Sequence, residues 1–359
     1  LTRPFDLLTD TPGDVSAFFG SSPSAIGTVR AENRSAHWDS FGVARAFCGQ
    51  RRRIRALRVA GFDPPSRFPY LVVQGRASRS NLEVMTGLDR QGIALPDGLV
   101  CIALQGERFM GRYDRSWNCR AGNLHAVIHL KPRLAPEAAG AAFSVLAAVA
   151  CVDAVVQIVT GSVAEADRTA GAVPTESPAP RVDTTALRPR IQWINDVWIG
   201  DHKIAGVLTR QSFMAPYITD VYLGIGVNVL VNPEITSLPF VPKSWCLAEA
   251  YPHITWSPGT FLGTFLEKLD RWYSRLLREG WTCLLRFYRE SSNVLGRNVR
   301  IFEDGYGFGE SGRGTRRLLG RGVVEAVEDN LALKLRGTTE PFGTGRLAFD
   351  EDCRDKDRG

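Results

Sequence analysis

The chain has 359 residues, 44% of them hydrophobic and 23% charged, with a formal net charge of +6. That length and apolar content can bury a sizeable core, so one large domain with a smaller one or an extension is expected. Seven scattered cysteines without a CxxC pair exclude a zinc-finger or disulfide framework and point to a reducing compartment.

Residues 1–65 are rich in Pro, Ser, Gly and Arg, and their apolar periodicity is weak. They are expected to form an N-terminal extension, partly ordered, with a short helical turn over Asp14 to Phe19. No compact apolar stretch follows a basic start in residues 1–30, so no secretory signal is expected. No helix-turn-helix pattern with a basic recognition helix is present, so DNA is not an expected partner. A cytoplasmic location is expected, with a mitochondrial address left open. Basic residues gather at Arg51–Arg55 and Arg313–Arg321. Such clusters suit an acidic partner or a polyphosphate, and equally a solvated surface.

Residues 68–74 read as a strand, and Leu82 to Leu88 as a helix capped by Ser80 or Asn81. The free N–H groups at that helix start can receive an anion or a polar ring, although simple capping explains them as well. Leu99 to Leu104 is a further strand. It runs into a polar stretch from Gln105 to Leu124, read as a long loop between strands that carries three arginines before Asn118. A loop combining glycine with several guanidinium groups suits a carboxylate and a phosphate. Asn123 to Leu130 completes this group of strands.

Ala138 to Thr160 is the most membrane-like segment. Asp153 and Gln157 interrupt it and alanine outnumbers leucine, so a helix buried against a sheet is expected rather than a membrane span. Cys101 and Cys151 lie in apolar runs and read as small core residues. Residues 161–189, rich in Ala, Pro, Ser and Thr, read as a disordered insertion.

Ile191 to Arg210 reads as two strands joined at Gly200-Asp201, with Trp193 and Val197 to Ile199 in the first and Ile204 to Leu208 in the second. Asn195 and Asp196 fall inside the first apolar run and Lys203 opens the second. Polar groups inside a strand must be satisfied or used, so they either brace the hairpin or bind something. Ala215 to Val229 reads as another strand pair ending in Gly224-Ile-Gly226-Val-Asn228. Glycines there let a ligand lie against the backbone, or simply mark a strand end. Ser257-Pro258 caps an amphipathic helix whose apolar face is Phe261, Phe265, Leu269, Trp272 and Leu276, and a second helix covers Trp281 to Glu290. Short strands at 298–302, 320–327, 331–335 and 345–349 suit a small β-barrel. Residues 351–359 read as a charged, disordered tail.

Four of these stretches, in this order, resemble the motifs of the biotin protein ligases, within the biotin/lipoate ligase superfamily. Ser80-Asn81 is similar to the family's Ser-Thr-Asn step. The Gln105 loop resembles Gly-Arg-Gly-Arg-x-Gly-Arg-x-Trp: Gly111, Arg112, Arg115 and Trp117 match, whereas Phe109, Met110 and Asp114 stand for Gly, Arg and Gly. Gln192-Trp-Ile-Asn195-Asp196-Val followed by His202-Lys203-Ile-Ala-Gly206-Val-Leu resembles Lys-Trp-Pro-Asn-Asp and Lys-(aliphatic)-Ala-Gly. Gln192 takes the place of the leading lysine and Ile194 that of the proline. Gly224-x-Gly226-x-Asn228 resembles the family's Gly-x-Gly-x-Asn.

The resemblance implies an α+β fold: a mixed β-sheet flanked by helices, the class II synthetase-like catalytic domain, over residues 66–291, then an SH3-like β-barrel over 292–350. It implies that biotin and ATP react, with Mg2+, to biotinyl-5′-AMP, and that a lysine of a biotin carboxyl carrier domain then takes the biotin. Ser80 and Asn81 would meet the ureido ring. Gln105, Gly111, Arg115, Gln192, Asn195 and Gly206 would line the substrates, Trp117 would wall the adenylate, and Asn228 would read adenine. No metal ligand is implied. Arg112, Lys203 and Asp196 are the catalytic candidates, with Lys203 supplying the charge that Gln192 lacks. Three readings stay open: a biotin protein ligase, a lipoate or other acyl-carrier ligase built on Lys203, and a protein that binds biotin or a carrier domain without turnover.

Overall fold

The computed structural model describes residues 6–20, 26–29, 40–49, 54–59, 61–111, 116–170, 187–233, 243–303 and 317–350. In chain order the elements are β1 (Asp6–Thr9), α1 (Pro12–Phe19), β2 (Ile26–Val29), α2 (Ser40–Cys48), β3 (Arg55–Val59), β4 (Tyr70–Ala77), α3 (Asn81–Arg90), β5 (Leu99–Met110), β6 (Ser116–Cys119) and β7 (Leu124–Leu130). Then come α4 (Pro136–Ala139), α5 (Ala142–Ala170), β8 (Arg190–Gln192), β9 (Asp196–Ile199), β10 (His202–Met214), β11 (Tyr217–Val227) and β12 (Lys243–Ser244). The chain closes with α6 (Leu247–Ala250), α7 (Pro258–Glu279), α8 (Thr282–Ser291), β13 (Asn298–Phe302), β14 (Leu318–Val327), β15 (Leu333–Leu335) and β16 (Arg346–Phe349).

One mixed sheet runs β2-β3-β1-β4-β5-β7-β11-β10-β9-β8, with β6 paired to β5 and β12 to β10. β1, β4 and β5 are mutually parallel neighbours, while β5, β7, β11, β10, β9 and β8 alternate in direction. Helices cover both faces. On one, α5 packs with α7 and α8 over the larger core; on the other, Leu82 and Met85 of α3 and Phe47 of α2 meet Val72, Cys101, Val127 and Tyr222. A separate antiparallel sheet, β15-β14-β13-β16, follows. It is tied to the first unit by Trp193 Nε1–H to the Leu331 carbonyl (2.7 Å) and by Arg289 to the Val327 carbonyl (2.6 and 2.8 Å).

Several elements follow directly from local chemistry. Ser257 Oγ accepts the Thr260 N–H (3.0 Å) and Pro258 sits in the first turn of α7, a cap that contributes about 1 kcal/mol. The expected stripe from Phe261 to Leu276 is buried. α5 is buried along Ala142 to Val155, and the Asp153 that interrupts its apolar run is used: it accepts from Trp272 Nε1 (2.9 Å) and pairs with Lys268 (3.1 Å). By length and composition this helix could cross a membrane, but its apolar face is the core of the main sheet. Cys101 and Cys151 are fully buried, and burial raises both thiols, so they serve as small apolar residues.

Five expectations are corrected. The first 65 residues are not merely an extension: β1, β2 and β3 prolong the main sheet, and β1 lies parallel to β4 in register from Asp6↔Tyr70 to Thr9↔Val73. These strands are short, and Leu7 and Leu8 are buried in cores on opposite faces, so no alternation betrays them. The insertion does not start at 161, because α5 continues to Ala170 through residues that favour helix; residues 171–186 lie outside those described, as does the tail 351–359. The Gln105–Leu124 stretch is a hairpin: β5 runs to Met110, and β6 returns beside it with Phe109↔Trp117. A register shift after Gly106 and a left-handed φ of 54° at Arg108 hide that pattern. Finally, Ile191 to Arg210 holds three strands, with Asn195 in the turn between β8 and β9, and residues 217–227 form one strand.

Candidate active site

Antiparallel register gathers polar groups on one face of the sheet, from β8 across to β7. Gln192 lies opposite Asp196. Asp196 Oδ2 bonds Lys203 Nζ at 2.7 Å. Lys203 lies along Gly206, its Nζ 3.2 Å from where a Cβ would stand. Gly206 pairs with Gly226, and Gly226 with His125. Two adjacent strands thus meet at a pair of glycines and leave a flat, side-chain-free floor.

The indole of Trp117 covers that floor. A Cβ at Gly226 would run into its ring, and one at Gly206 would stand 3.4 Å from it. Lys203 Nζ is 5.8 Å from the ring centroid, in cation–π range. Trp117 Nε1–H donates to His125 Nδ1 (3.0 Å), and His125 Nε2 lies 3.2 Å from the Arg120 carbonyl. Both bonds form only when the imidazole is neutral with its proton on Nε2. Burial lowers the His125 pKa from 6.5 to about 4, which favours that neutral form. His125 was not singled out in the sequence. The available signal was a pair of histidines, His125 and His129, in an otherwise apolar strand.

At the start of α3, Ser80 Oγ accepts the Leu82 N–H (3.3 Å). Asn81 is 1% exposed, and neither atom of its amide has a partner among the described residues. An unpaired buried amide is costly, of the order of 1–3 kcal/mol, unless a ligand meets it. Asn228 is also buried. Its Nδ2 donates to the Trp245 carbonyl (3.0 Å), while its Oδ1 is unpartnered. The turn that follows Asn228 is fixed by Asn123, whose Oδ1 accepts the N–H groups of Val229, Leu230 and Val231.

The remaining candidates stand elsewhere. Asn195 Nδ2 is turned to the Ser144 carbonyl (3.1 Å) and braces its turn against α5. Gln192 is 9% exposed and accepts weakly from Asn293 Nδ2 (3.4 Å). Gln105 is exposed on β5, opposite Arg76, and Gly111 follows the end of that strand. Arg112 and Arg115 lie outside the described residues. Phe109 packs with Ala77, Ala103, Cys119 and Trp117, so the departure from glycine there fills the base of the hairpin. No group of three or more His, Cys, Asp or Glu side chains suited to a metal occurs among the described residues. A cavity of about 460 Å³ elsewhere is lined by Arg67, Asp97 and Asp270, but Arg67 is already paired with Asp270 (2.5 Å) and Ser274 (3.2 Å).

Fold and site together define an α+β protein in which the Trp117 indole covers a pair of facing glycines beside a lysine–carboxylate pair. No family model matches the chain. It is similar to a biotin–acetyl-CoA-carboxylase ligase of Paracoccus denitrificans: 28% identical over 235 residues, 63% of this chain and 79% of that protein. Among solved structures it matches a biotin protein ligase from Aquifex aeolicus in complex with biotin and ATP (16% identity, 78% of this chain, 98% of that one, TM-score 0.48). It also matches one from Leishmania major in complex with biotinyl-5-AMP (17%, 77%, 99%, TM-score 0.46). The Paracoccus relative bears out the resemblance to the biotin protein ligases.

Proposed function

We propose that the protein is an ATP-dependent biotin protein ligase, which activates biotin as biotinyl-5′-AMP and transfers it to a lysine of a biotin carboxyl carrier domain. The single observation that carries this reading is the curated relative of that activity. The unpartnered amide of Asn81 and the Trp117-covered floor beside Lys203 support it within the molecule. The lipoate reading is not favoured, because the relative is named for biotin.

In the first step the biotin carboxylate attacks the α-phosphate of ATP and pyrophosphate leaves. Two anions must approach, so fixed cations set the rate. Lys203 supplies one, held by Asp196 in a position that Gln192, a neutral amide, cannot replace. Arg112 and Arg115 would add others. Asn81 would pair with the ureido ring, Asn228 Oδ1 would accept from the adenine edge, and Trp117 would close over the adenylate and keep water from the mixed anhydride. In the second step the carrier lysine attacks the anhydride carbonyl and AMP leaves; Asp196 would orient that amine. Magnesium would come with ATP and would neutralise phosphate charge in the first step, with Asp196 the carboxylate of the cluster that could meet it. A cytoplasmic location is part of this reading, supported by the buried, unbridged thiols of Cys101, Cys119, Cys151, Cys246 and Cys283.

The test is transfer itself. Purified protein with ATP, Mg2+ and biotin is expected to biotinylate an apo carrier domain, read by mass spectrometry. An unmodified carrier domain, beside a known biotin ligase that modifies it, would overturn the reading.

A further inference from the structure

We infer that His125 is the positioning residue of the site: it sets Trp117, and with it the β5–β6 hairpin, over the glycine floor. This deepens the ligase reading and rests on it. His125 is 3% exposed and stands in β7, in the middle of the sheet. Its two ring nitrogens bond Trp117 in β6 and the carbonyl of Arg120 just beyond it. One rigid side chain therefore holds both ends of the returning arm of the hairpin.

The anchor is specific in chemistry as well as place. The indole N–H is a donor only and needs an acceptor; the Arg120 carbonyl is an acceptor only and needs a donor. A neutral imidazole offers one of each. With Trp117 so fixed, its ring packs directly against Gly226, with Lys203 Nζ at 5.8 Å from the ring centroid. Of the groups given a role, His125 bonds Trp117 alone. It acts through Trp117, so its loss should weaken the hold on nucleotide in ground and transition states alike, raising KM more than it lowers kcat.

The experiment uses the full chain with His125→Leu, His125→Gln and Trp117→Phe. The first readout is the indole Nε1–H resonance of Trp117, assigned by its disappearance in Trp117→Phe. The second is KM for ATP and kcat in biotin-dependent pyrophosphate release. His125→Leu is expected to move the resonance away from its hydrogen-bonded position and to raise KM about tenfold, with kcat within about threefold. His125→Gln, whose amide offers one acceptor and one donor, should return both toward wild type. Trp117→Phe, which leaves His125 intact, should reproduce the rise in KM. An unmoved resonance in His125→Leu, a His125→Gln variant as impaired as His125→Leu, or a wild-type KM in Trp117→Phe would each overturn the inference. If wild-type protein releases no pyrophosphate with biotin, the ligase reading fails by itself, and the resonance still decides whether His125 holds Trp117.

Discussion

Two glycines of the floor make unequal demands on the ring above them, and the difference can be measured. Neither has a left-handed φ, so alanine fits the backbone and only space decides. At Gly226 a methyl group would occupy the place of the Trp117 ring, which would have to lift by about 1 Å to regain ordinary carbon–carbon separation. That movement strains or breaks the Trp117–His125 bond, a loss of about 1 kcal/mol, and overpacking adds about 1–2 kcal/mol. Reduced freedom of the unfolded chain returns about 0.5 kcal/mol. Gly226→Ala should therefore be less stable by about 2 kcal/mol. At Gly206 the methyl would meet the ring at 3.4 Å, an ordinary contact, and only the end of Lys203, with Nζ at 3.2 Å and Cε at 3.3 Å, must give; the end of a lysine moves easily, so Gly206→Ala should fall within about 0.5 kcal/mol of wild type. Urea denaturation followed by tryptophan fluorescence reads both. Equal stabilities, or a Gly206→Ala variant weaker than Gly226→Ala, would refute the placement of the indole on the floor.

Further consequences concern charge. Lys203→Ala should slow adenylate formation about 10²–10³-fold; an unchanged rate would remove Lys203 as the working cation. The depressed pKa of His125 gives a stability term with a definite sign. The unfolded chain takes up the His125 proton near pH 6.5 and the folded one near pH 4. Stability tied to this group is thus fully present above pH 6.5 and is lost as pH falls toward 4, by up to about 3 kcal/mol. The difference in unfolding free energy between wild type and His125→Gln, measured from pH 7 to pH 4, should shrink accordingly, and a flat difference would contradict it. Asp153→Ala leaves Lys268 buried without its partner and strips the acceptor from Trp272, so a loss of about 3 kcal/mol is expected in thermal or urea unfolding; a loss under about 1 kcal/mol would show that water reaches the pair.

What the sequence revealed depended on how regular each stretch is. The cap at Ser257-Pro258, the apolar face of α7 and the four strands of the second sheet were legible because period and punctuation agree there. β1 was not, since Leu7, Leu8 and Thr9 are buried in succession and carry no alternation, nor was the short β3, and their pairing with β4 and with one another is a tertiary fact. The polar cluster was half legible. Asp196 and Lys203 were marked as polar groups in apolar runs and Gly226 by the glycines of its strand, Gly206 and Trp117 by the family resemblance, and register brings them together. Asn195 belonged to a turn instead, bonded to Ser144. His125 escaped because histidines in an apolar strand read as satisfied core residues; its importance lies in Trp117, eight residues away in the chain.

The most direct measurement is pyrophosphate release from MgATP in the presence of biotin, of lipoate, and of neither. The account predicts release that depends on biotin, is near background with lipoate or no acid, and falls sharply in Lys203→Ala. Release that is equal with lipoate, or absent with every acid, would contradict it.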